Sequence, residues 1–180
     1  MEKNQTRVVN RSSGTVVYLI PNLGIRRSIA AGQSIIVPKS EIEALSFTEG
    51  GLELIRNYLF LEDEETLDEL GVHREPEYYM DEKKVIDLLK NKSLDEFKDA
   101  LDFAPDGVKD MIRDLAVSLP LNDYAKRKAL KDQLDFDVDA AIDMDQAQKA
   151  ETGVEEAPKV RRTAASTTPG RRTKKATTTK

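Results

Sequence analysis

Apolar positions in the first part of the chain fall in short runs, and later they recur every three or four residues, the mark of strands followed by helices. Thr6–Asn10 and Thr15–Ile20 are rich in valine and other strand formers, and Arg11-Ser12-Ser13-Gly14 between them has turn composition, so the pair predicts a β-hairpin. In the second run Val16, Tyr18 and Ile20 face one side and Val17 and Leu19 the other. Both faces are apolar, and the strand is expected to be central or covered. Pro21-Asn22-Leu23-Gly24 supplies the next turn, because proline presets one φ and glycine tolerates a positive one. Ile25–Ile29, which carries Arg26 and Arg27, and Ser34–Val37 complete a small antiparallel sheet or partial barrel.

Ser40 with Glu43 three residues on, ahead of Ala44 and Leu45, matches a capping box and predicts a short helix, broken by Gly50-Gly51. Leu52, Ile55, Tyr58 and Leu59 have helical spacing, whereas Tyr58–Leu61 equally suits a closing strand, and periodicity leaves both open. Glu62–Leu70 reads as an acidic helix with Gly71 in the left-handed position past its end. Val72–Met80, with Pro76 and the Tyr78-Tyr79 pair, reads as a connector.

Beyond the connector the pattern is helical throughout. Val85, Leu88 and Leu89 mark one segment, and a capping box at Ser93 and Glu96 opens Leu94–Leu101. Pro105 suits a helix start, and Val108, Met111, Ile112 and Leu115 form a stripe at i, i+3, i+4, i+7. Pro120 ends that helix, Asn122 or Asp123 can cap the next one through Leu134, and a last short helix is expected around Val138, Ala141 and Ile142. No heptad is sustained, so these segments make a compact bundle rather than a coiled coil. From about Gln146 the apolar periodicity fades.

The fold class is therefore α+β. A strand-rich unit with short helices spans 1–71, a connector 72–80 and a helical bundle 81–145, and 146–180 is expected to be disordered, with a basic tail from 159. Whether sheet and bundle share a core stays open, since each is near the lower size limit for independent stability.

Composition removes whole classes of chemistry. The 180 residues include no cysteine, which excludes a disulfide scaffold, a thiolate zinc site, an iron–sulfur cluster and a cysteine nucleophile together. One histidine and no tryptophan remain, and no catalytic signature emerges, so neither enzymatic activity nor a cofactor is expected. The N-terminus lacks the apolar core of a signal peptide, and no run of 18 apolar residues exists to span a bilayer, so no membrane role is expected.

Charge changes the picture most, because the net of -5 conceals three blocks. Residues 1–61 hold 7 basic and 5 acidic groups, residues 62–158 hold 13 and 28, and residues 159–180 hold 8 and none, giving +2, -15 and +8. Such a partition points to an interaction tail on an acidic body. The tail cations are Lys159, Arg161, Arg162, Arg171, Arg172, Lys174, Lys175 and Lys180, set among Thr and Ala. A segment of this composition cannot bury enough apolar surface to offset chain entropy of about 1–2 kcal/mol per residue. Its cations are the candidate binding residues for DNA or another polyanion, for an acidic protein partner, or for the chain's own acidic body.

Other candidates are weaker. Asp135, Asp137, Asp139 and Asp143 fall at calcium-loop positions, but Ala140 stands where that loop needs glycine and Gln146 where it needs a bidentate carboxylate, so no metal is expected. Met111–Leu134 can be read as a helix-turn-helix with Lys126, Arg127, Lys128 and Lys131 toward nucleic acid, although the acidic block around it favours a plain surface face. His73 stands beside Glu75 and Glu77 without a nucleophile at a recognisable spacing, and a surface histidine is expected.

Val8-Val9-Asn10-Arg11-Ser12-Ser13-Gly14-Thr15-Val16-Val17-Tyr18, the following Ile25-Arg26-Arg27, Leu101-Asp102-Phe103-Ala104-Pro105-Asp106-Gly107-Val108 and Leu119-Pro120-Leu121-Asn122-Asp123 resemble segments of small structural or accessory proteins of tailed bacteriophages, over roughly Thr6 to Met144. The resemblance implies a non-enzymatic virion component, assembled in the host bacterial cytoplasm, whose partners are other virion proteins. DNA reached through the tail, and further copies of the chain, are additional expected partners. The alternative is a regulatory nucleic-acid-binding protein that uses helices 108–134 together with the tail.

Overall fold

Strand β1 (Gln5–Asn10) pairs antiparallel with β4 (Ser34–Pro38) on one side and β5 (Leu59–Leu61) on the other, with Val8 opposite both Ile35 and Leu61. Strand β2 (Val16–Ile20) pairs with β3 (Ile25–Ile29) in a separate two-stranded ribbon. The description is of a computed structural model and covers residues 4–73, 75 and 77–155.

The expected hairpin between the first two strands is therefore not formed. Arg11–Gly14 is a corner that carries the chain from one sheet to the other, and the fully buried Asn10 side chain builds it. Its Nδ2 donates to the carbonyls of Gly14 (2.7 Å) and Ile29 (2.9 Å), and its Oδ1 accepts from the backbone N–H (3.0 Å) and Oγ (2.7 Å) of Ser12. All four hydrogen-bonding positions of the amide are used, so one side chain replaces the ladder that a hairpin would have supplied. The hairpin that does form is β2–β3, closed by the Pro21–Leu23 3-10 turn with Gly24 at φ 62.

Strand β2 also departs from expectation, since it is not covered on both faces. Val16, Tyr18 and Ile20 point into the core as expected, but Val17 and Leu19 are 49% and 55% exposed. In a two-stranded ribbon only one face lies against the protein, and an apolar outer face is left in solvent.

Helix α1 (Lys39–Ser46) begins directly at the end of β4 with Pro38 as its N-cap and no side-chain cap, so the capping box expected at Ser40 is absent. The strand runs straight into the helix and leaves Ser40 already inside the first turn. Helix α2 (Gly51–Asn57) follows, and β5 comes next, so both readings of residues 52–61 are realised in succession. Helix α3 (Glu64–Glu69) precedes the connector. Val8, Ile20, Ile29, Ile42, Ile55 and Leu61 are the centre of this unit's core.

The bundle comprises α4 (Glu82–Lys90), α5 (Leu94–Phe103), α6 (Asp106–Ser118), α7 (Tyr124–Leu134) and α8 (Val138–Glu155). Asp81, Ser93 and Asp123 cap α4, α5 and α7 through their side chains, and Ser93 with Glu96 closes the expected capping box. The stripe on α6 is buried as predicted, against α4 and α8. Helix α8 runs past Gln146 to Glu155, so the last helix is not short and residues 146–155 are helical rather than disordered as expected. Good helix formers and an Asp145–Lys149 pair one turn apart (2.6 Å) sustain it where apolar spacing has faded.

Sheet unit and bundle have separate cores that meet at a tight seam. A Cβ on Gly107, in the first turn of α6, would lie 2.5 Å from the Arg11 carbonyl oxygen and 2.8 Å from that of Asn57. Only glycine permits this approach.

Candidate interaction surfaces

The connector's two tyrosines bind opposite units. Tyr79 donates its hydroxyl to the Arg56 carbonyl (2.8 Å) and sets its ring 6.2 Å from Phe60, on the sheet side. Tyr78 places its ring 5.7 Å from Phe103, on the bundle side. The Arg11 guanidinium stacks over Phe60 with its carbon 5.0 Å from the ring centre, which adds a cation–π contact beside the seam. Between these groups lies an open cleft of about 480 Å³ lined by Arg56, His73, Tyr79, Phe103, Asp106 and Lys109 among others. His73 is exposed on its wall, as expected of a surface histidine.

The β2–β3 ribbon is locked to α1 by a buried carboxylate. Glu41 Oε1 accepts from the Tyr18 hydroxyl (2.7 Å) and Arg27 Nε (2.9 Å), and Oε2 accepts from Arg27 Nη2 (2.8 Å). The bidentate guanidinium holds the Glu41 carboxyl below its ordinary value against the opposing effect of burial. Burial first, and then the neighbouring carboxylate, push the Tyr18 hydroxyl well above its usual range. Tyr18 and Arg27 face each other across the ribbon, so their proximity follows from the Pro21–Gly24 turn. The carboxylate from α1 had no local signal. The knot leaves Val17, Leu19 and Leu23 presented outward, all about half exposed.

The four cations of α7 behave differently from a nucleic-acid reader. Lys126 is only 3% exposed and is not on a surface face. Its Nζ donates to the carbonyls of Leu88 (3.0 Å) and Leu89 (2.9 Å) in the last turn of α4 and lies 5.7 Å from the centre of the Phe97 ring. It satisfies orphan carbonyls at the negative end of a helix. Arg127 donates to the Leu121 carbonyl and pairs with Asp139, Lys131 pairs with Asp137 (2.8 Å), and Lys128 lies 3.7 Å from Asp132. The sequence treats all four as equivalent, since the amphipathic pattern does not reveal a helix end packed beneath α7.

Asp135 and Asp137, the start of the calcium-like run, serve as local caps. Asp135 takes φ 50 at the end of α7, and Asp137 accepts from the Ala140 N–H (3.2 Å) and from Lys131. Among the described residues no group of three or more His, Asp or Glu is placed to hold a metal. No helix among them is long and apolar enough to cross a membrane. The cationic candidates Lys159, Arg161, Arg162, Arg171, Arg172, Lys174, Lys175 and Lys180, and with them the part of the expected disordered segment 146–180 from 156 onward, lie outside the described residues.

No protein-family model, curated protein or solved structure matches this chain.

Proposed function

We propose that this chain is a non-enzymatic structural or accessory protein of a phage particle, assembled in the bacterial cytoplasm. Its folded part docks on other particle proteins, and its C-terminal arm binds DNA or an acidic partner by charge. The observation that carries the reading is the division of cations. Those of α7 are engaged by the body's own carbonyls and carboxylates, while residues 159–180 hold eight cations and no carboxylate. This division supports attraction to phosphate through the arm, and it leaves the regulatory alternative with Lys128 and Lys131, exposed but set beside Asp132 and Asp137. The outward Val17, Leu19 and Leu23 of the ribbon support docking to a protein surface, with an unpaired strand edge available beside them.

Removal of 159–180 tests this reading. Eight phosphate contacts give a slope of log affinity against log salt of about -7 on duplex DNA, and the truncated chain should lose that binding for every sequence. A truncated chain that still prefers one DNA sequence would restore the regulatory reading. Retention of the truncated chain on purified particles is the expected result for docking through the folded part.

A further inference from the structure

A groove of about 430 Å³ runs between α4, α5 and the connector, with Met80 and Leu88 as its floor and the Tyr78 ring as one wall. Glu77, Asp87 and Asp99 stand exposed along it. Within this groove Glu96 is held by Lys92 (3.0 Å) and its own capping box. Asp87 accepts from the Asn91 amide at 2.6 Å, and neither Glu77 nor Asp99 takes part in an ion pair among the described residues. Lys84 and Lys92 share the rim, and Lys92 is committed to Glu96. Asp95, Asp99 and Asp102 follow at i, i+4, i+7 along α5, a stripe of like charge that repels itself until a cation arrives. The Tyr78 hydroxyl feels this field: after burial, Glu77, Asp99 and Glu75 are what raise it above its ordinary value.

We infer that this groove is the seat of the chain's own cationic arm, so that arm and body hold each other until DNA or an acidic partner displaces them. The inference rests on the arm being the polyanion-binding element proposed above. Three observations choose the occupant. The arm, residues 159–180, carries eight cations and no carboxylate, and its sign is opposite to that of the groove. Twenty-five residues follow Glu155, a length of about 80 Å if extended, against a folded body about 40 Å across. The groove wall also offers the flat Tyr78 ring, backed by Phe103 at 5.7 Å, on which a guanidinium can stack.

The chain has no cysteine, so Thr178→Cys in the full-length protein gives a single thiol for a nitroxide label. At low salt the label should broaden the backbone amides of Tyr78, Asp87 and Asp99. The effect should vanish in 0.5 M salt and in the Glu77→Gln/Asp87→Asn/Asp99→Asn variant, whose changes are all at exposed positions. The same triple variant should bind duplex DNA about threefold more tightly, as expected when a tether concentration of about 1 mM competes against a docking constant of about 0.5 mM. Broadening that is absent, spread evenly over the acidic surface, or seen only between labelled and unlabelled copies in a mixed sample overturns the inference. Broadening at the groove without any DNA binding by the full chain would uphold the docking and refute the DNA reading instead. DNA binding without broadening does the reverse.

Discussion

Lys126→Met removes a buried cation while keeping a chain of similar length, and its cost can be worked from the contacts. The ammonium makes two hydrogen bonds, at 3.0 and 2.9 Å, to carbonyls that end α4. Bonds to a charged group are worth about 1.5–3 kcal/mol each, and a buried acceptor left without a donor costs about 1–3 kcal/mol. Against this stands the relief of no longer keeping an ammonium out of water, several kcal/mol in its own right. The helix-end field adds about 1 kcal/mol in favour of the cation. The balance is a loss of about 2–4 kcal/mol. Lys126→Ala should lose more, because it also opens a cavity against Phe97 and Ala129. Urea unfolding followed by circular dichroism reads the change as a shift in midpoint at constant slope. Lys128→Met is the control: its partner Asp132 lies 3.7 Å away and both side chains are more than half exposed, so less than about 0.5 kcal/mol is expected. If Lys126→Met is as stable as the parent, the view of this lysine as the cap of α4 is refuted. If it also weakens DNA binding at unchanged stability, the surface-reader view of α7 returns.

Glu41→Gln should cost about 1–3 kcal/mol at neutral pH, discounted from a fully buried pair because the Arg27 side chain is 42% exposed. Because the folded carboxyl lies below its ordinary 4.5, its contribution is fully present above that value and is lost as pH falls through the folded one. Urea midpoints of parent and variant should therefore converge as the pH is lowered below 4.5, and a gap that does not narrow contradicts the assignment. Gly107→Ala would gain up to about 1 kcal/mol from helix propensity alone, but its Cβ meets backbone oxygens at 2.5 and 2.8 Å that cannot yield without moving one unit from the other. A net loss of about 1–3 kcal/mol is expected, and a thermal melt showing stabilisation would mean the seam is looser than described. Arm deletion and the groove neutralisation add the two tests of binding given above.

What could be read from the chain was whatever is carried by near neighbours. The Ser93–Glu96 capping box, the Pro21–Gly24 turn and the α6 stripe each involve residues within about two helical turns of one another, where backbone geometry links spacing to contact directly. The α+β class followed from the change of period along the chain. Residues 11–14 looked like a hairpin turn for the same reason, since turn composition reports that the chain bends and not where it goes next. Asn10 decided that, by spending its amide on Ser12, Gly14 and Ile29.

The amino-acid order alone determined the segregation of charge, the absence of thiol chemistry and the positions of most of the regular segments, because these are properties of composition and short-range periodicity. The tertiary structure alone decided that β1 lies between β4 and β5, that Glu41 of α1 meets Arg27 of the ribbon, and that Lys126 is interior while its neighbours on α7 are at the surface. Alternation specifies which face of an element is buried and leaves its neighbour unspecified. That neighbour is chosen by packing between segments tens of residues apart, where no local pattern carries the information.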